Sequence, residues 1–186
     1  MDGGIADLKR VVSTAFEAQQ YEIYFYCLGA LAPLIFHSDL LSGAKNQNEW
    51  IKPHDEICDE FRDQGFVLLL VGHMQQLYDR KSSQLKFMAP LLLALRSLIQ
   101  SNKDLKAQFL KSQDGLLTLY LIVSQGHGHK EFKNIYISGL ILMCELEYNA
   151  ADKSSPSTKQ PTVFKGIIAQ RLARAQSEHD QMDSDT

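Results

Sequence analysis

Between Ser83 and Gln100, apolar residues fall at Leu85, Met88, Ala89, Leu92, Leu95, Leu98 and Ile99. Steps of three and four residues predict a helix with a wide buried stripe. Leu91 and Leu93 widen it, so the helix needs cover on more than one side, as an internal member of a helical array would. Pro90 within it predicts a kink there, or the place where the preceding segment, Ser82–Ala89, turns into the main helix. The same period predicts helices over Ile5–Gln19, Tyr21–Phe36, His54–Arg62, Phe66–Arg80, Lys103–Ser112, Leu116–Ser124 and Phe132–Tyr148. Leu116–Val123 is a continuous apolar run that fits strand or helix by period, and its place in a helical series decides for helix. Almost nothing is left for strands, which makes the chain all-α.

Short polar punctuation separates these segments, at Asp63-Gln64-Gly65, Ser101-Asn102, Gln113-Asp114-Gly115 and Gly126-His127-Gly128-His129. Residues 37–53 are longer and more polar and read as an insertion loop. A helical domain therefore covers 1–149. Residues 150–162, rich in Ser, Pro and Lys, read as a flexible linker. Residues 163–178 read as an amphipathic helix with Val163, Phe164, Ile167, Ile168, Leu172 and Ala175 on one face, and 179–186 as an acidic tail. Lys159, Lys165, Arg171 and Arg174 make the region around this helix basic. It suits either the groove of a partner or the open end of the array.

Of the 186 residues, 45% are hydrophobic and 22% charged, the balance of a globular domain. Nineteen Lys and Arg against 22 Asp and Glu leave no basic field for a phosphate backbone, so nucleic acid is not expected as a partner. Cys27, Cys58 and Cys144 are odd in number and lack paired spacing, which points to a reducing compartment without disulfides or a zinc module. The start MDGGIADLKR has no signal-peptide core, and the apolar stretches Tyr24–Phe36 and Phe66–Val71 are shorter than the roughly 20 residues needed to cross a bilayer. The expectation is a cytoplasmic or nuclear chain with no membrane insertion.

A repeat is visible. Gly65-Phe66-Val67-Leu68-Leu69-Leu70-Val71 and Gly115-Leu116-Leu117-Thr118-Leu119-Tyr120-Leu121 each open a helix after an Asp-containing turn, and each is followed by a longer helix. Those second helices carry Ala94-Leu95-Arg96-Ser97-Leu98 and Leu142-Met143-Cys144-Glu145-Leu146. A weaker copy runs from Gly4-Ile5 to Ala30-Leu31-Ala32-Pro33-Leu34. Glycine at positive φ would end one helix and start the next at a sharp angle. With Asn102-Lys103-Asp104-Leu105-Lys106 as a short helix between, the pattern resembles the armadillo repeat over about residues 4–148, with HEAT-type solenoids as the alternative. The resemblance implies a right-handed α-solenoid of about three repeats. In members that read nuclear-localisation peptides, the third helices carry a Trp and Asn ladder. Here the Trp positions hold Gly29, Leu93 and Ile141 and the Asn positions hold Pro33, Ser97 and Glu145, so that mechanism is not implied.

No phosphate loop, dinucleotide fingerprint or nucleophile elbow is present, so neither an enzyme nor a cofactor is expected. His127 and His129, with Glu131, fall short of a full ligand set and read as solvated. The three cysteines sit in apolar pattern and read as buried small hydrophobes. His73 reads as a packed or hydrogen-bonded histidine. Asp55, Glu56, Asp59, Glu60 and Asp63 read as a solvated face, with reception of a basic partner the alternative.

The expected function is a non-enzymatic protein-binding scaffold. Arg96, Gln100, Tyr136 and Glu145, with Tyr24, are placed on its helical surface by the resemblance and helical phase, and Phe164, Ile168, Arg171 and Leu172 form a second contact on the C-terminal helix. Two further classes stand beside it. One is a nucleotide-exchange co-factor of a chaperone ATPase or small GTPase. The other is a structural subunit that self-associates through its solenoid ends.

Overall fold

The computed structural model describes residues 4–36, 55–80, 83–126 and 132–148. Among them are eight α-helices, one 3-10 turn and no strand: α1 (Gly4–Glu17), α2 (Tyr21–Phe36), α3 (Asp55–Asp63), α4 (Phe66–Asp79), the 3-10 turn (Ser83–Phe87), α5 (Met88–Ser101), α6 (Lys103–Lys111), α7 (Gln113–Gly126) and α8 (Lys133–Tyr148). The fold class is all-α, as the periodicity predicts. No described helix is long and apolar enough to cross a membrane. The insertion loop, the linker, the C-terminal helix and the acidic tail lie outside the described residues. The chain divides into a compact unit through Leu146 and a second from Glu147, and the packing below belongs to the first.

Each junction has its own local cause. Gln19 ends α1 at φ 57; its N–H donates to the Phe16 carbonyl (3.1 Å) and that of Gln20 to Ala15 (2.8 Å). These two bonds make a Schellman closure without glycine. Gly65, at φ 62, ends α3 as predicted, its N–H donating to the Arg62 carbonyl at 2.9 Å. Asn102 is extended and caps α6, its side-chain oxygen accepting the Asp104 N–H at 2.7 Å.

A preceding 3-10 segment turns into the main helix beside Pro90, as one of the two readings has it, with the change of backbone at Phe87 to Met88, two residues before the proline. Proline cannot donate to the carbonyl four residues back, so Pro90 fits the first turn of α5, where that donor is spare. Gly115 is not a hinge at positive φ but lies inside α7, which starts at Gln113. A Cβ there would stand 2.5 Å from Val71 Cγ1 and 2.8 Å from Ser112 Oγ, so this glycine lets α7 approach α4 closely.

The core is built from Phe16, Tyr24, Leu31, Ile35, Phe61, Phe66, Leu70, Met74, Leu77, Met88, Leu91 and Phe109, all fully buried. Phe61 and Phe66 meet edge-on at 5.0 Å across the Gly65 turn. Contacts recur at a spacing of three helices. α1 meets α4, α2 runs along α5, α3 meets α6 and α4 meets α7, while α5 and α8 are joined through Arg96 and Glu145.

The two α-helical glycines that flank the α4–α7 contact should behave oppositely. Gly115→Ala lowers stability by about 1–3 kcal/mol because Val71 has nowhere to go. Gly72→Ala, where an added methyl meets nothing within 4 Å, raises it by about 0.5–1 kcal/mol through helix propensity. Urea unfolding of both variants checks the pair.

Candidate functional site

Helices α2, α5 and α8 border a groove of about 770 Å³. Phe25, Gly29 and Ala32 reach it from α2, Ala89, Leu93 and Ser97 from α5, and Asn134, Ile137 and Ser138 from α8, with Lys86 beside the start of α5. The arcs that reach the groove differ from those that fill the core. α2 buries Tyr24, Leu28, Leu31 and Ile35, and one residue further round the helix stand Phe25, Gly29 and Ala32. α5 buries Leu91, Leu92, Leu95, Leu98 and Ile99 and turns Ala89, Leu93 and Ser97, four residues apart, to the groove. Leu93 therefore does not widen the buried stripe. Phe25, Leu93 and Ile137 stay 45%, 46% and 41% exposed.

Polar groups in the groove are sparse. Ser97 Oγ donates to the Leu93 carbonyl at 3.2 Å. Lys86 Nζ lies 5.0 Å from the Phe87 ring centre and has no carboxylate partner among the described residues. Pro33, inside α2, has no N–H for the carbonyl of Gly29, leaving a backbone acceptor beside the groove without a helical donor.

None of Arg96, Gln100, Tyr136 and Glu145 lines this groove. Three of them converge instead. Arg96 Nη2 pairs with Glu145 Oε1 at 3.3 Å, Gln100 Nε2 donates to the same oxygen, and the buried Lys106 donates its Nζ proton to the Glu145 carbonyl at 2.5 Å. They form a tie between α5, α6 and α8. Tyr136 is half-buried on α8. Phe164, Ile168, Arg171 and Leu172 lie outside the described residues, as do His127, His129 and Glu131. On α2 and α5, the positions matched to the peptide-reading ladder, Gly29, Leu93 and Ser97, do line the groove, whereas on α8 the lining falls at Ile137 rather than Ile141.

Tyr24 is a correction: it is wholly buried, not a surface group. Its hydroxyl lies 3.1 Å from His73 Nδ1, and the imidazole stacks on Phe16 at 3.8 Å. Burial pushes the His73 pKa down to about 4 and the Tyr24 phenol well above its ordinary value. The pair is neutral at pH 7, each satisfying the other. Cys58 is buried and Cys27 half-buried, and burial pushes both thiols up, away from the reactive thiolate. Cys144 is exposed, against the expectation of burial, because α8 turns it to solvent.

The acidic cluster on α3 is largely spoken for. Arg62 pairs with Asp59 (2.6 Å), Asp63 (2.9 Å) and Asp104 of α6 (3.4 Å), and Glu60 accepts the Ile5 N–H at 3.4 Å. Gln108 completes the link by donating to the Arg62 carbonyl at 2.9 Å. No group of three metal-ligating side chains occurs among the described residues. No family model, curated protein or solved structure matches the chain.

Two outcomes follow from these pairings. In the unfolded chain His73 titrates near its ordinary 6.5, in the folded one near 4. Between those values the unfolded state holds the extra proton. Stability from this group is therefore present above about pH 6.5 and lost as pH falls toward 4, by about 3 kcal/mol. Urea unfolding across that range should show the slope, and His73→Gln should remove it. In the α5–α8 tie, a double-mutant cycle on Arg96 and Glu145 should give a coupling of about 0.5–1 kcal/mol, whereas Lys106→Met, which strips a part-buried carbonyl of this donor, should cost about 1–2 kcal/mol.

Proposed function

We propose that this chain is an armadillo-like helical module without catalytic residues of its own, whose groove between α2, α5 and α8 receives an apolar segment of another protein. The carrying observation is that Phe25, Leu93 and Ile137, one from each bordering helix, remain 41–46% exposed around one concavity. Contiguous exposed apolar surface marks an interaction site more often than isolated residues do. The spacing of helix contacts by three supports stacked units of about three repeats, with α1, α4 and α7 as one ladder and α2, α5 and α8 as the next. In that reading the groove faces α2, α5 and α8, the third helix of each unit.

Two neighbours set the chemistry of the occupant. The small side chains of Gly29, Ala32 and Ala89 leave room for bulky apolar groups between the three exposed ones. Lys86, the only charged lining residue among the described residues, favours an acidic group near the start of α5. Arg96, Gln100 and Glu145 act in this reading as the frame of the site, since they are engaged with one another.

The test is partner recovery from the protein's own cells, by quantitative mass spectrometry, with the full-length chain and two variants of unchanged helicity. Leu93→Glu combined with Ile137→Glu should reduce the specific partner at least about tenfold, since each buries a charge in an apolar contact. Phe164→Glu combined with Leu172→Glu should leave it unchanged. A partner lost only in the second variant places the contact on the C-terminal helix and sinks the groove reading.

A further inference from the structure

The groove between α2, α5 and α8 is poor in groups that could hold a peptide backbone. An extended segment crossing from α2 to α8 spans two interhelical spacings, roughly 16–20 Å, and so about five or six residues. Each brings an N–H and a C=O that need partners. Of the polar side chains in the lining, Ser97 donates to the Leu93 carbonyl of its own helix, Ser138 is buried and Asn134 stands exposed in the first turn of α8. Pro33 leaves the Gly29 carbonyl open as one acceptor. The polar cluster shared by α5 and α8 is spent, since Glu145 engages both Arg96 and Gln100. An extended occupant would lose water at most of its backbone groups without a replacement bond, which offsets its apolar gain. An α-helix arrives with its backbone already paired and needs only an apolar stripe.

The relief of α5 gives that stripe a spacing. Leu93 projects, 46% exposed, and the small Ala89 and Ser97 lie four residues to either side. From Ala89 to Ser97 the helix rises about 12 Å, and two large side chains seven or eight residues apart on a second helix span about 10.5–12 Å. They fit over Ala89 and Ser97 and straddle Leu93, as ridges enter grooves. Charge adds a third requirement. Lys86 is exposed three residues before Ala89 and has no carboxylate partner among the described residues. Glu22, one turn before Phe25 on α2, lies outside the lining.

We propose that the occupant is an amphipathic α-helix of the partner protein. It carries two large apolar residues seven or eight apart, a small residue midway, and a carboxylate one turn beyond the residue that sits on Ala89, where Lys86 Nζ meets it. The inference rests on the groove reading and adds to it the conformation and charge of what binds. The chain's own C-terminal sequence does not meet these requirements. Phe164 and Leu172 are eight apart, but Ile168 between them is large, and the positions one turn outside hold Gln160, Pro161, Ala175 and Gln176.

The test is selection on the immobilised full chain from a phage-displayed library of random peptides about 16 residues long, roughly four helical turns, with the strongest binders then synthesised. The binders should share the apolar spacing and carry Asp or Glu one turn outside it. Proline at the midpoint of a binder, a change that leaves the protein untouched, should weaken it at least about tenfold. Leu93→Glu with Ile137→Glu should remove binding. Lys86→Glu, at unchanged circular dichroism, should weaken it at least about threefold and restore it for a peptide whose acid is replaced by Lys. Binders that need Leu93 and Ile137 but tolerate the central proline, or are indifferent to Lys86→Glu, overturn this inference while the groove reading stands. Binders indifferent to Leu93 and Ile137, or no binders at all, overturn both.

Discussion

The described helices are held in place by the burial of α4. Seven of its fourteen residues, Phe66, Val67, Leu70, Val71, His73, Met74 and Leu77, are buried, and α1, α3, α5, α6, α7 and the 3-10 turn all touch it. α3 and α6 have nine residues each, too few for a helix to persist alone in water. They exist because Phe61, Leu105 and Phe109 are buried. The polar member of α4, His73, stays affordable only because Tyr24 supplies its hydrogen bond and Phe16 its stacking surface. That one imidazole ties α1 and α2 to α4 at a single point.

The rotation of α2 follows from this. With Tyr24 drawn inward to His73, Leu28, Leu31 and Ile35 turn inward too, since they share its face at steps of four, three and four. The helix then has no freedom over what remains outside. Phe25 must border α5 and α8, and Ile23, Tyr26 and Leu34 must face away from both the core and the groove. Two apolar faces left open on one helix are thus a consequence of the buried pair.

Helix identity is legible because the apolar period of 3.6 runs through most segments, and observed ends coincide with the pattern or differ by up to three residues, except at α5, which starts at Met88 because Ser83–Phe87 is a 3-10 turn. Pro90 does mark the passage from a preceding segment into α5, in whose first turn it sits. Gly115 reads as the opening of a helix but sits inside α7, at a crossing that tolerates no Cβ, and that fact is not local, since it depends on Val71, 44 positions away. The groove is less legible. The resemblance and helical phase point to Arg96, Gln100 and Glu145, yet Glu145 engages both of the others and none of the three lines the groove. Leu93 fits a wide core stripe by period, but it lies one residue, about 100°, round from Leu92.

The tie and the groove share two helices, and their relative positions matter. Arg96 and Gln100 sit in the second half of α5 and Glu145 in the second half of α8, while the groove lies along Ala89 to Ser97, overlapping the tie at Arg96, and along Asn134 to Ser138 in the first half of α8. Polar contacts between charged and amide groups have directional preferences that apolar contacts lack. The tie therefore sets the separation of α5 and α8 at one end, and Lys106 locks the end of α8 to α6. A groove whose walls are fixed before an occupant arrives loses little ordering entropy on binding. Its affinity can then rest on Phe25, Leu93 and Ile137 alone, which reconciles a site of few polar groups with a frame of several.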